Sequence, residues 1–131
     1  MLGKNPAAQN LDWRLWELGC AAEEKGKIAE AVRLYRRSAK LGFAEAQINL
    51  GNLLDDYTKP RRPAEAVYWY KRAIKQGYAC AADNLAIHYR NLGKPRWHMH
   101  WLKVAAKMGD PDAPKAVRAL QRELEGHIRK R

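Results

Sequence analysis

Cysteine is scarce in this chain, phenylalanine occurs once, and acids are outnumbered by bases. The two cysteines, Cys20 and Cys80, stand alone in alanine-rich stretches, without the spacing of a metal or redox site. Both read as free, buried packing residues. No run approaches the ~20 apolar residues needed to span a bilayer. The N-terminal MLGKNPAAQNLDW lacks the apolar segment of a secretory leader, so a cytoplasmic location is the expectation. Strand signals are missing too.

The usual catalytic patterns are also missing. There is no glycine-rich phosphate loop, no HExxH and no nucleophile elbow. His98 and His100 are two apart on a helix, so they point to different faces and cannot chelate one metal; His88 lies on another hairpin. Asp55 and Asp56 are adjacent and diverge by ~100° around a helix, so they are not a proton-sharing pair. The expectation is a protein that is not an enzyme and needs no metal and no cofactor.

What the chain does have is internal repetition, the feature that decides the fold. Leu34-Tyr35-Arg36-Arg37-Ser38-Ala39-Lys40-Leu41-Gly42 aligns with Trp69-Tyr70-Lys71-Arg72-Ala73-Ile74-Lys75-Gln76-Gly77 and with Trp101-Leu102-Lys103-Val104-Ala105-Ala106-Lys107-Met108-Gly109. A second pattern follows each glycine: Ala44, Ala46, Leu50 and Gly51; Ala79, Ala81, Leu85 and Ala86; and, more weakly, Ala113 and Val117. Upstream, Leu18-Gly19 holds the place of Leu50-Gly51, and equivalent positions lie 32, 35 and 32 residues apart. That period belongs to arrays of helical hairpins. A single hairpin cannot bury its apolar face, so stacked neighbours supply the core.

The pattern predicts helices over about 11–25, 27–41, 44–58, 62–76, 79–92, 95–108 and 112–127. Gly42, Gly77 and Gly109 supply the left-handed residue that ends a helix. Pro63, Pro95 and Pro111 stand at or just before helix starts, where a missing N–H costs little. The stretch 58–62 is the one longer turn, and the tail His127–Arg131 is expected to fray. With 131 residues, 47% hydrophobic and 30% charged, the chain suits one domain that buries roughly 70% of its unfolded surface. The reading is an all-α, right-handed alpha-alpha superhelix occupying 1–131. Its three helix-turn-helix repeats fall at about 11–42, 43–77 and 78–109, with a capping helix at 111–127.

The run Ala44-Glu45-Ala46-Gln47-Ile48-Asn49-Leu50-Gly51, followed by Ala66, Trp69, Tyr70, Ala73 and Gly77, resembles a Sel1-like repeat, a branch of the tetratricopeptide (TPR) solenoids. The resemblance covers roughly residues 11–120. It departs between the helices, where the usual Gly-x-Gly-Val turn and following aspartate are missing and Arg62 stands near the acidic position. The resemblance implies a solenoid that binds proteins, with first helices lining a concave surface and second helices forming a convex back.

The net charge of +11 makes an acidic protein, a nucleic acid or an anionic surface a candidate partner. Its distribution is uneven. The second helices (27–41, and 61–76 and 94–108 with their flanking residues) carry fourteen Lys and Arg against two acids, Glu30 and Glu65. The first helices (11–25, 44–58, 79–92) carry three bases against eight acids. A basic back formed by Arg33, Arg36, Arg37, Arg72, Lys75, Lys103 and Lys107 is therefore expected.

Positions of the first helices not used for packing align in columns: Glu17, Asn49 and Asn84; Trp16, Ile48 and Asp83; Cys20, Asn52 and Ile87; Glu24, Asp56 and Asn91. Asparagine is a poor helix former, so propensity does not account for Asn49, Asn52, Asn84 and Asn91. Their amides both donate and accept, which suits clamping a peptide backbone; the TPR resemblance implies that role for matching asparagines. The candidate concave site comprises Trp13, Trp16, Glu17, Asn49, Asn52, Asp56, Asp83, Asn84, Ile87 and Asn91, with Trp13 and Trp16 as aromatic anchors.

The expected function is a protein-interaction module, an adaptor or a small cognate inhibitor. Proteins similar in their Sel1-like repeats include immunity proteins for bacterial toxins. The partner is a protein, acidic if it meets the basic back. The alternative is a nucleic-acid-associated protein that uses those cations on phosphates, although no recognition module accompanies them. A monomer or weak homo-oligomer is expected.

Overall fold

The computed structural model describes residues 10–56 and 61–130. Among them it contains seven α-helices and no strand: α1 (Leu11–Glu24), α2 (Ile28–Lys40), α3 (Ala44–Asp56), α4 (Pro63–Lys75), α5 (Ala79–Asn91), α6 (Pro95–Lys107) and α7 (Ala113–Arg129). The expected boundaries hold to within two residues. Part of the long turn, together with the expected last residues of α3, lies outside the described residues. The last helix runs on to Arg129 through a stretch expected to fray. Pro63 and Pro95 are the first residues of their helices, as their missing N–H groups require.

Contacts group the chain into two units, one ending at Gln76 and one beginning at Gly77. In the first, α1 pairs with α2 and α3 with α4, while α2 also packs on α3. In the second, α5 pairs with α6, and α7 packs on α6.

Every described residue with positive φ is a glycine: Gly26, Gly42, Gly77, Gly93 and Gly109. Gly42, at φ 99°, shows why. Reversal of the chain there lets the Phe43 N–H bond the Ser38 carbonyl at 3.3 Å, closing the end of α2 so that α3 starts at once. The same closure recurs after α1, α5 and α6, where Lys27, Lys94 and Asp110 donate to Ala22, Tyr89 and Ala105.

The core of the first unit is built from small residues facing large ones. Tyr35 and Tyr70 are almost completely buried, and a Cβ added to Gly19 or Gly51 would stand 2.6 Å from the ring of Tyr35 or Tyr70 respectively. Each ring thus lies directly on the backbone of a first helix. The hydroxyls reach polar partners: Tyr35 donates to Glu23 Oε1 and Tyr70 to Asn52 Oδ1, both at 2.7 Å. Burial raises both phenol pKa values, and neighbouring acids add to the effect. In the second unit the corresponding pair is Ala86 and Leu102, packed with Leu120 of α7. A smaller knob leaves room for a methyl group.

Polar side chains tie successive helices of the first unit together. Ser38 on α2 donates to the Asp12 carbonyl of α1 at 2.7 Å, and the buried amide of Gln47 on α3 donates to the Ala39 carbonyl at 3.1 Å. Gln76, following α4, bonds both the Gly42 carbonyl and Gln47 Oε1. Such bonds fix the register of one helix on the next and leave no buried amide unsatisfied at these points.

Candidate protein-interaction site

Local geometry places the candidate residues in two groups, one in each unit. In the first unit, Trp13, Trp16 and Glu17 stand at i, i+3 and i+4 of α1 and therefore share one side of it. Trp13 is 46% exposed, Glu17 is exposed and Trp16 is half-buried. The Trp16 indole N–H donates to Asn49 Oδ1 of α3 at 3.0 Å, and its ring lies 5.5 Å from that of Phe43. With Oδ1 occupied, the Asn49 amide retains Nδ2 as a donor. Asn49, Asn52 and Asp56 follow at i, i+3 and i+7 along one stripe of α3. Asp56 is exposed, and Asn52 has its carbonyl engaged by Tyr70. In the second unit, Asn84, Ile87 and Asn91 repeat that stripe on α5. Asn84 is half-buried, Asn91 is exposed, and Ile87 is 42% exposed.

Asp83, the remaining candidate, is held by acids rather than bases. Desolvation, a hydrogen bond with Asp110 and the charges of Asp110 and Asp112 raise its pKa from 3.8 to about 7. Asp110 moves the other way, lowered by the Asp83 bond and by the Asp112 backbone N–H, which donates to its Oδ1 at 3.1 Å. The shifts run in opposite directions, so of the two carboxyls Asp83 is the one whose protonated form is favoured.

The candidate cations differ among themselves. Arg33, Arg37, Arg72, Lys75, Lys103 and Lys107 are exposed. Arg72 donates to the Tyr68 hydroxyl and lies over that ring at 5.8 Å. Arg36 is half-buried and makes a two-point contact with Glu65 of α4, through Nε and Nη2 at 3.0 Å each. Burial pushes the Glu65 carboxyl up, but hydrogen bonds from Arg36 and Trp69 and the charges of Arg36 and Arg62 outweigh it and hold the pKa below the usual range. Arg36 is thus a helix-to-helix tie.

Other side-chain partnerships have no signal in the sequence pattern. Asp55 is buried and bonded by Arg61, with Nη2 at 2.6 Å from Oδ1 and Nε donating to the Asp55 carbonyl. Its neighbour Asp56 is exposed, so the adjacent acids have separate surroundings. Cys20 is half-buried beside the Tyr35 hydroxyl, and Cys80 is exposed, where burial was expected for both. Cys80 precedes the fully buried Ala81 and Ala82 and falls on the outer side of α5. No group of three or more His, Cys, Asp or Glu suited to a metal occurs among the described residues. No described helix is long and apolar enough to cross a membrane.

Helical hairpins closed by left-handed glycines, with rings seated on backbone, define an α-helical repeat protein of the Sel1/TPR class. A family model described as Sel1 repeat matches residues 17–43, 44–78 and 99–110. The chain belongs to the Sel1 repeat family. It is similar to the Sel1 repeat protein from Oxalobacter formigenes, with 28% identity over 86% of this chain and 50% of that one, at a TM-score of 0.66. It is similar also to a protective antigen of uropathogenic Escherichia coli displaying an SLR fold, with 27% identity over 85% of this chain and 26% of that one, TM-score 0.66. The chain therefore spans half and about a quarter of these two relatives. The first TPR of Spaghetti (RPAP3), bound to the HSP90 peptide SRMEEVD, shares the fold at 17% identity, covering 88% of this chain and 94% of that one, TM-score 0.68. No curated protein matches. Repeats of this class are generally protein–protein interaction modules and typically non-enzymatic scaffolds.

Proposed function

We propose that this chain is a non-enzymatic interaction module, an adaptor or a dedicated inhibitor of the immunity type. It holds a protein partner on the side of its first unit formed by α1 and α3. The observation that carries this reading is the Trp16–Asn49 bond. It braces an aromatic against an asparagine while Trp13, one turn away, remains nearly half exposed. Exposed aromatics beside fixed polar groups are the composition of interaction hot spots. The peptide held by the Spaghetti TPR supports a short protein segment as the ligand type, since the two folds agree. Glu17 and Asp56 add negative charge to this side, so the segment it holds is neutral or basic at those points.

Native copurification followed by mass spectrometry at rising salt tests the reading. One stoichiometric protein retained at high salt supports it. Recovery of nucleic acid alone, lost steeply as salt rises, contradicts it and favours the alternative. That alternative draws on the exposed Arg33, Arg37, Arg72 and Lys75, which would neutralise phosphates in a salt-dependent way.

A further inference from the structure

The second unit contains an open groove between α6 and α7, with a cavity of about 670 Å³. Its floor includes Val104 and Val117, and its rim is formed by His100, Lys103, Lys107 and Arg118, with no acid among the lining residues. Positions 100, 103, 104 and 107 form one stripe of α6, and 114, 117 and 118 form one stripe of α7.

The first unit shows what such a groove accommodates. There α2 and α3 stand in the repeat register of α6 and α7, and α4 bonds both. Glu65 of α4 binds Arg36 of α2, and Tyr70 of α4 lies on Gly51 of α3. In the repeat alignment Lys103 takes the place of Arg36, and Arg118 takes the place of Gly51. The groove of the second unit thus has the shape of a helix seat with its chemistry altered. A cation still awaits a carboxylate on the incoming helix. An arginine occupies the position where an aromatic ring would need bare backbone.

We propose that this groove binds an amphipathic helix of a partner protein, with aliphatic side chains along its centre and carboxylates along both flanks. The aliphatic residues cover Val104 and Val117, and the carboxylates pair with Lys103, Lys107 and Arg118. A second copy of this chain fits poorly, because its second helices would bring further cations to a cationic rim and its acid-bearing first helices α3 and α5 already bury most of their apolar residues in its own core. This site is separate from the side of α1 and α3 proposed above, and either can fail without the other.

Two synthetic helical peptides with the same leucine face test the proposal, one flanked by glutamates and one by lysines. Fluorescence anisotropy with the full chain at low salt should show the glutamate peptide binding at least tenfold more tightly. Combined Lys103→Glu, Lys107→Glu and Arg118→Glu, all at exposed positions, should reverse that preference with the helical circular dichroism unchanged. Arg33→Glu with Arg37→Glu in the first unit should leave it intact. Equal binding of the two peptides overturns the proposal, as does a preference that survives the reversal. Light scattering that shows a dimer abolished by the same reversal, or vesicles of anionic lipid binding in preference to the glutamate peptide, also overturns it.

Discussion

The ring of Tyr70 rests on the backbone of Gly51, so close that a methyl group there would stand 2.6 Å from it. Gly51→Ala should therefore lower stability by ~1–3 kcal/mol through overpacking, although alanine is the better helix former. Gly19→Ala should do the same against Tyr35. Adding Tyr70→Leu to Gly51→Ala imitates the Ala86–Leu102 pair, and the double variant should lose less than the sum of the single losses. Urea unfolding of the four proteins in the cycle measures this coupling.

The Arg36–Glu65 contact ties α2 to α4 across part-exposed side chains, 30% and 28% accessible. A double-mutant cycle of Arg36→Ala and Glu65→Ala should return a coupling of on the order of 1 kcal/mol or less, diminishing with salt. The Glu65 carboxyl is held below its ordinary pKa. Its stabilisation is thus fully present above the unfolded value and is lost as pH falls through the folded one. Thermal unfolding of Glu65→Gln and of the parent should converge at acid pH.

Asp83 gives the opposite pH trend. Its folded pKa is raised to about 7, so between about pH 4 and pH 7 the folded state holds a proton that the unfolded chain has released. The protonated form contributes stability that is lost as pH rises from about 4 to about 7. Asp110, lowered by the same bond, offsets part of this at the acid end. Asp83→Asn should equal the parent near pH 4 and exceed it at pH 8 by roughly 1 kcal/mol after solvent screening. Calorimetric melting at both pH values checks this.

The two cysteines should react at different rates. Cys80 is exposed and should take a thiol reagent such as DTNB in the native state. Cys20, half-buried beside Tyr35, should react much more slowly, and Tyr35→Phe should speed its labelling. Mass mapping after timed quenching distinguishes the sites.

The helices could be read from the chain because their punctuation is chemical. Gly42 and Gly109 end helices, Pro63 and Pro95 begin them, and Tyr35, Tyr70 and Leu102 recur in register. Gly26 and Gly93 close helices in the same way but lie outside the aligned motifs, so the repeat does not mark them. The candidate residues could be assigned to stripes but not to partners. Asn52 looks the same in sequence as Asn49, yet one accepts from Tyr70 and the other from Trp16. Arg36 looks like Arg37, yet only one of them faces Glu65. Which side chain crosses between helices depends on interhelix geometry that periodicity does not encode. The Asp83–Asp110 bond joins residues 27 apart, and no local pattern announced it.

Photo-crosslinking with the copurifying protein tests the proposed function most directly, with a benzophenone side chain placed at position 13 or at position 75. An adduct is expected from position 13, suppressed by Asn49→Ala, and none from position 75. Adducts from position 75 alone, or adducts from position 13 indifferent to Asn49, would contradict it.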